Sequence, residues 1–333
     1  MHNAKIAIFL QKLVYLQSMC RLIDDITAFL ESEGFECSRQ MRHGFDVICT
    51  RTADGRKEKI IIPLEIKAET LEEAVQSSEH ANDAIRMASS EEGGYPLIIT
   101  EDRWMRQGKM MRARLLAHLE LFSQAYARNC EVRRIEKAEA QSFLKENHSY
   151  GYAACRYRYG LFLKRHTGHI AEETENCDGH IGRLIAVATF SNARRWMKDG
   201  KEISSYEWTR YASLPEMRIS GGMGKLLKAF INDVNPDDIM SYADLEWSEG
   251  RVYEALGFKV ESGKDAVDFI IDGQTWERRA VRSLDKLGMT EEKSGMTEQK
   301  SGMTEEKSGM TNGELFFRNF GSRKFRLKLT DYK

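Results

Sequence analysis

Three glycines within four residues, Gly221, Gly222 and Gly224, stand in Arg218-Ile-Ser-Gly-Gly-Met-Gly-Lys-Leu-Leu at a change of period. The residues before them read as a strand and those after, 222–233, as an amphipathic helix. A bend this rich in glycine lets the backbone approach a bulky partner closely, and the first N–H groups of the following helix have no partner inside it. Those amides and the positive end of the helix dipole make a cradle for a pyrophosphate, to which Arg218 and Lys225 add charge. A plain strand-to-helix turn would use the same residues, so the surroundings have to be read as well.

Upstream, the pattern predicts strand 130–135, helix 138–146 and strands 158–163, 183–191 and 205–213. Downstream it predicts strand 238–245, helix 250–256 and strand 267–271. Strands and helices alternate only towards the end, which suits a mixed sheet with helices on its faces.

The front of the chain has its own order. Apolar residues at helical spacing over 13–33 stop at Gly34, strands at 35–39, 45–51 and 59–67 are separated by turn residues, and helix 71–89 precedes strand 95–100. The predicted order is α-β-β-β-α-β, followed by one long bridging helix over 103–127. A chain of 333 residues suits two cores. The expected division is a front domain at 1–127, a second at 128–287, a linker at 288–312 and a basic C-terminal hairpin at 313–333. The linker repeats Gly-Met-Thr-Glu-Glu-Lys-Ser at 288–294, 295–301 (with Gln299) and 302–308. One apolar residue in seven builds neither a core nor a coiled coil, so an exposed insertion is expected.

Hydrophobic residues at 41% and charged residues at 30% describe a globular, well-solvated chain. The opening apolar stretch at 6–16 is interrupted by Gln11 and Lys12 and is too short to span a bilayer, so no membrane partner is expected. Six scattered cysteines read as reduced thiols, which places the protein in the cytoplasm. A net charge of -1 argues against coating nucleic acid by overall attraction. Local basic faces remain: Arg103, Arg106, Lys109, Arg112 and Arg114 form one run, and Arg156, Arg158, Lys164 and Arg165 another. Each fits phosphate contacts or a solvated charged face. His166-Thr-Gly-His169 with Cys177-Asp-Gly-His180 has zinc-like spacing, but the short, Glu-rich spacer reads better as a solvated loop.

The segment Tyr253-Glu-Ala-Leu-Gly-Phe258, following the glycine bend, helix and strand in that order, resembles the fourth helix of GNAT acyltransferases. The resemblance implies an α/β (α+β) fold with a GNAT-like mixed sheet flanked by helices. It also implies acyl-CoA (acetyl-CoA) held at Arg218, Gly221, Gly222, Gly224 and Lys225, with Tyr253 as general acid to the leaving thiolate. Packing of the Tyr253 ring under the sheet is the alternative. Further segments, Phe143-Leu-Lys-Glu-Asn-His-Ser-Tyr-Gly151, Thr189-Phe-Ser-Asn-Ala-Arg194, Glu207-Trp-Thr-Arg210 and Ser241-Tyr-Ala-Asp-Leu-Glu-Trp-Ser-Glu-Gly250, resemble the GNAT-fold domain of phage and mobile-element proteins related to Mom. This implies modification of adenine N6 in DNA by an acyl-derived group. His148, Asp244 and Ser248 are the polar residues chosen for that chemistry, since a neutral imidazole accepts a proton near pH 7 and strand ends are where open sheets place ligands. A helix C-cap for His148 and an N-cap for Asp244 are the structural alternatives.

In front, α-β-β-β-α-β with Asp46 opening the second strand and Glu65-Ile-Lys67 closing the third resembles the PD-(D/E)xK nucleases. Leu97-Ile-Ile-Thr-Glu-Asp-Arg-Trp104 resembles the strand and exit of Vsr-like domains. The resemblance implies a restriction-endonuclease-like domain in which Asp46 and Glu65 bind Mg²⁺ and Lys67 orients water or phosphate. An inactive DNA-binding relic or a structural ion pair would use the same residues. Three functions follow: a DNA-modifying acyltransferase, a Mg²⁺-dependent endonuclease whose second domain recognises DNA, or a GNAT enzyme acting on a small amine or protein.

Overall fold

A computed structural model describes residues 21–90, 95–165, 182–281 and 313–331. The seven-residue repeat, the His/Cys pairs at 166–180 and the opening stretch at 6–16 lie outside the described residues. In chain order the elements are α1 (Arg21–Ser32), β1 (Ser38–Arg42), β2 (Phe45–Arg51), β3 (Glu58–Leu64), α2 (Leu71–Ser89), β4 (Leu97–Thr100), α3 (Glu101–Arg106), α4 (Gly108–His118), β5 (Ser123–Tyr126), β6 (Cys130–Arg134) and α5 (Lys137–Asn147). There follow β7 (Tyr157–Leu163), β8 (Leu184–Phe190), β9 (Arg194–Lys198), β10 (Lys201–Ser213), β11 (Met217–Ser220), α6 (Gly222–Val234), β12 (Asp238–Asp244), α7 (Arg251–Ala255), β13 (Lys259–Lys264), β14 (Asp268–Asp272), β15 (Arg278–Ala280), β16 (Glu314–Arg318) and β17 (Ser322–Lys328).

These build two units, each from separate stretches of chain. The first takes Met1–Thr50, Ile60–Arg106 and Asp265–Gly321; the second takes Arg51–Lys59, Gln107–Lys264 and Ser322–Lys333.

In the first unit the sheet runs β1-β2-β3-β4, with β3 and β4 parallel, so the α-β-β-β-α-β order is present. Local chemistry sets its turns. Gly34 ends α1 with φ 85, and His43 and Gly44 (φ 49 and 82) form the tight β1–β2 turn, whose two left-handed residues match strand twist. Thr70 Oγ1 accepts from Glu73 N while Glu73 Oε2 accepts from Glu69 N, a reciprocal cap on α2. Ile26, Leu30, Ile48, Ile61, Ile98 and Ile99 are buried at its core. A second sheet, β15-β14-β16, packs on α2 through Phe316, Ile270 and Ala74. Arg278 pairs with buried Asp102 and donates to Thr100 Oγ1 (3.0 Å).

The second unit holds an eight-stranded mixed sheet, ordered β13-β17-β12-β10-β8-β7-β6, with β9 pairing β10. The β10–β12 pair is parallel, while β17 runs antiparallel to both β12 and β13. Helix α6 packs on the sheet with Leu226, Leu227 and Phe230 buried, the Phe230 ring stacked on Phe190 at 3.9 Å.

Two expectations need correction. The stretch 103–127 is not one helix: it breaks at Gln107, which has non-helical backbone (φ -118, ψ 32), and α4 ends at Leu119-Glu120, where Glu120 turns left-handed (φ 66). The chain then becomes β5, because its Ser123–Tyr126 backbone finds a parallel ladder on β11. Nor is 313–333 a hairpin, since β16 pairs with β14 whereas β17 pairs with β12 and β13. Asn319 Oδ1 accepts from Val267 N and Gly321 N, pinning the turn that separates the two strands. Among the described residues no helix is long and apolar enough to cross a membrane.

Candidate active site

Strands β10 and β12 pair only from Ser205–Asp238 to Glu207–Met240. Just beyond, the ladder between β10 and β8 shifts register between Trp208 and Arg210, and a bulge of this kind bends its strand. From there β10 stays with β8 and β12 with β17, so the sheet opens between Trp208 and Ser241. At this opening Ser241 Oγ lies 3.1 Å from the Trp208 carbonyl and 2.9 Å from Tyr253 Oη. Tyr253 stacks on Phe325 (5.2 Å) and meets the edges of Trp208 and Phe258 (6.1 and 5.5 Å). Burial pushes its phenol above the ordinary tyrosine range, so the proton stays on at neutral pH. The ring of Tyr253 packs among these aromatics and its hydroxyl stands where the strands part.

The glycine bend borders a cavity of about 840 Å³, lined by Gly221, Gly222, Gly224 and Arg218 and, from α7 and its end, Val252, Ala255 and Leu256. Gly221 is the N-cap of α6 with left-handed backbone (φ 76), a conformation suited to glycine, and no side chain caps the helix. The first intrahelical bond runs from Lys225 N to Gly221 O, so the amides of 222–224 find no acceptor within the helix. A Cβ at Gly224 would come to 3.2 Å from Leu256, so the helix start also packs closely on α7. Arg218 lines the cavity and rests over the Phe122 ring at 5.3 Å. Lys225 does not join it. Its Nζ donates to the carbonyls of Ala127 (2.8 Å) and Cys130 (2.5 Å), because one turn into the helix its side chain is rotated towards the start of β6.

Across the opening, the polar residues chosen from sequence come together through one that was not chosen. His148 is the C-cap of α5, and its Nδ1 accepts from Tyr150 N at 3.1 Å. The Tyr150 phenol donates to Asp244 Oδ2 at 2.8 Å, while Asp244 Oδ1 accepts from Glu246 N in the turn after β12. Ser248 Oγ accepts from Gly250 N at 3.3 Å and shapes the approach to α7. Arg210 Nε donates to the Gly151 carbonyl (3.1 Å), which ties the 148–151 loop to β10; burial lowers its pKa, with Glu207 and Tyr150 opposing. The sequence signal for Tyr150 is an aromatic-glycine pair, Tyr150-Gly151, shortly after a helix end.

In the first unit, Asp46, Glu65 and Lys67 line one cavity of about 540 Å³ with His80, Arg318 and Phe320. Glu65 is ion-paired to Lys67. Asp46 lines the same cavity as this pair. Among the described residues no group of three or more His, Cys, Asp or Glu is arranged to hold a metal.

No family model matches the chain, nor does any curated protein. Solved structures do. The chain is similar to Eis1 from Mycobacterium abscessus (14% identity, 44% of this chain and 34% of that one, TM-score 0.30). It is also similar to a GNAT-family acetyltransferase from Bacillus anthracis (11% identity, 60% and 95%, TM-score 0.28). A mutant AtaT toxin bound to the C-terminus of the antitoxin AtaR and acetyl-CoA is a third (13% identity, 40% and 88%, TM-score 0.25). The match to Eis1 spans about a third of that protein's length.

Proposed function

We propose that the second unit transfers an acyl group from acyl-CoA to an exocyclic amine, and that the amine is N6 of adenine in DNA. The observation that carries the reading is the parting of β10 and β12 at Trp208 and Ser241, with Tyr253 Oη at the opening and an uncapped glycine bend beside an open cavity. Acyl-CoA would supply a thioester carbonyl open to attack. The amides of 222–224 and the dipole of α6 bind its pyrophosphate. Tyr253 keeps a proton at Oη, held in place by burial, for delivery to a developing thiolate. Asp244 takes the proton released by the amine, with Tyr150 orienting its Oδ2.

The DNA part of the reading draws on the segments 143–151, 189–194, 207–210 and 241–250, which meet around this opening. Ser191 N and Oγ bond the backbone of Glu207, Arg210 reaches Gly151, and Tyr150 reaches Asp244. A base has to leave its stack to reach such a site. Mass spectrometry of nucleosides from DNA co-expressed with the protein tests this: a new adenine mass that vanishes in Asp244→Ala and persists in Glu65→Ala is the expected result. Unmodified DNA alongside acetyl-CoA turnover on small amines or proteins would replace the acceptor with one of those classes.

A second activity is proposed for the first unit, on the convergence of Asp46, Glu65 and Lys67 in one cavity. Mg²⁺-dependent nicking of plasmid that disappears in Lys67→Ala supports it; intact plasmid with the wild-type chain removes it.

A further inference from the structure

Helix α4 lies ahead of the stretch 128–287 that carries the glycine bend and the sheet opening, yet two of its residues reach the acceptor side of the site. Gln107, its N-cap, donates from Nε2 to the Ser149 carbonyl at 2.8 Å. Arg114 donates from Nη2 to the carbonyls of Trp247 (2.8 Å) and Glu246 (3.2 Å), and its guanidinium lies over the Trp247 ring at 4.2 Å. Positions 107, 111 and 114 fall at i, i+4 and i+7, so they share one helix face, and Met111 between the two anchors is buried.

The two backbone segments that α4 holds are the two that meet in the Tyr150–Asp244 hydrogen bond, and all of them belong to the second unit. Ser149 directly precedes Tyr150, whose own N–H is bonded to His148 Nδ1. Glu246 and Trp247 belong to the turn that Asp244 opens. There the Asp244 carbonyl accepts from Trp247 N (2.9 Å) and Ser248 N (3.0 Å), and its Oδ1 accepts from Glu246 N (3.0 Å). Chain and hydrogen bonds thus form a closed circuit from α4 through Ser149 and Tyr150 to Asp244 and back to α4. A phenol and a carboxylate on separate loops stay within bonding distance only while the loops keep their spacing, and anchors about two helical turns apart on one helix are a stiff spacer. A guanidinium shared by two adjacent carbonyls and stacked on an indole fixes the turn in orientation as well as position.

We propose that Gln107 and Arg114 are positioning residues: α4 braces the Tyr150 loop against the Asp244 turn and so aims Asp244 at the acceptor amine. The inference rests on the reading of Asp244 as the group that takes the amine proton, and it assigns part of the acceptor side to a helix outside 128–287.

Hydrogen exchange of the full chain, read by mass spectrometry, tests the brace without reference to catalysis. Arg114→Met keeps an unbranched stem and removes the donors. It is expected to speed exchange of the amides at 244–248 and also at 148–151, the segment that Gln107 bonds. Gln107→Leu, acting from the other end, is expected to do the same to both. Faster exchange confined in each variant to the segment it bonds overturns the brace. Release of free thiol from acetyl-CoA with duplex DNA then tests the link to Asp244. Arg114→Met is expected to lower kcat about 10²-fold with KM for acetyl-CoA unchanged, and to add nothing to the loss in Asp244→Asn, because a positioning residue acts through the group it positions. Arg114→Lys, which keeps a charged donor, is expected to recover part of the rate. An unchanged kcat in Arg114→Met, or losses that multiply when it is combined with Asp244→Asn, refutes the positioning role and leaves Asp244 standing. No thiol release by the wild type, or release undiminished in Asp244→Asn, refutes the reading of Asp244 instead, and the exchange result then decides the brace by itself.

Discussion

The hydroxyls of Ser241 and Tyr253 lie 2.9 Å apart at the point where β10 and β12 cease to pair. If Tyr253 is the proton donor to the leaving group, Tyr253→Phe keeps the aromatic packing and removes only the proton. The expected effect is a fall in kcat of about 10²–10⁴-fold with KM for acetyl-CoA nearly unchanged, read from free-thiol release. A full-rate Tyr253→Phe variant would leave the tyrosine with packing alone.

Arg326 and Asp238 form an ion pair at 2.5 Å in which the carboxylate residue is fully buried, and Ser205 Oγ donates to the same oxygen. Removing the arginine strands a charge inside the sheet. Arg326→Ala should cost about 3–5 kcal/mol in urea unfolding, and adding Asp238→Asn should recover part of it because the charge goes too. Equal midpoints for the single and double variants would count against this account.

Gly250 and Gly55 both have positive φ (82 and 71), but their surroundings differ. A Cβ at Gly250 would sit 2.6 Å from the buried Phe325 ring, whereas nothing lies within 4 Å at Gly55. Backbone strain alone at Gly55→Ala should cost about 1–2 kcal/mol, and clash with the ring should take Gly250→Ala about 1–3 kcal/mol further. Comparable thermal shifts in the two variants would show that the ring gives way freely.

His118 should contribute a pH dependence. Its folded pKa lies below its unfolded one, about 3 against 6.5, through desolvation and then its cationic neighbours. The neutral imidazole is thus the form the fold favours: its contribution is fully present above the unfolded value and is lost as pH falls from 6.5 towards 3. The residue is exposed by surface area, so solvent screens the effect and the loss should be shallow. In His118→Gln, Tm measured between pH 7 and pH 4 should decline less than in the wild type; an identical slope would exclude this histidine.

What could be read from the sequence alone was local. The 3.6-residue spacing of Leu226, Leu227 and Phe230, the β-branched runs of β3 and β4, and the glycines at 34, 44 and 221 each show their periodicity or left-handed backbone within a few neighbouring residues. These were enough to place most of the helices and strands and to draw attention to the glycine bend and Tyr253, but not to find the break at Gln107 or the strands β5, β9 and β13. Tertiary structure decided everything that depends on which distant segment arrives beside which. β17 enters between β12 and β13 after a long excursion, Lys59 comes to the cavity from the front of the chain, and Tyr150 joins His148 to Asp244. Lys225, placed by its neighbours in sequence, is instead turned to the Ala127 and Cys130 carbonyls. The reason is physical: helix and strand periods and turn conformations arise from interactions a few bonds apart, whereas strand neighbours and site partners are chosen by burial and hydrogen bonding over the whole folded unit, which no local pattern encodes.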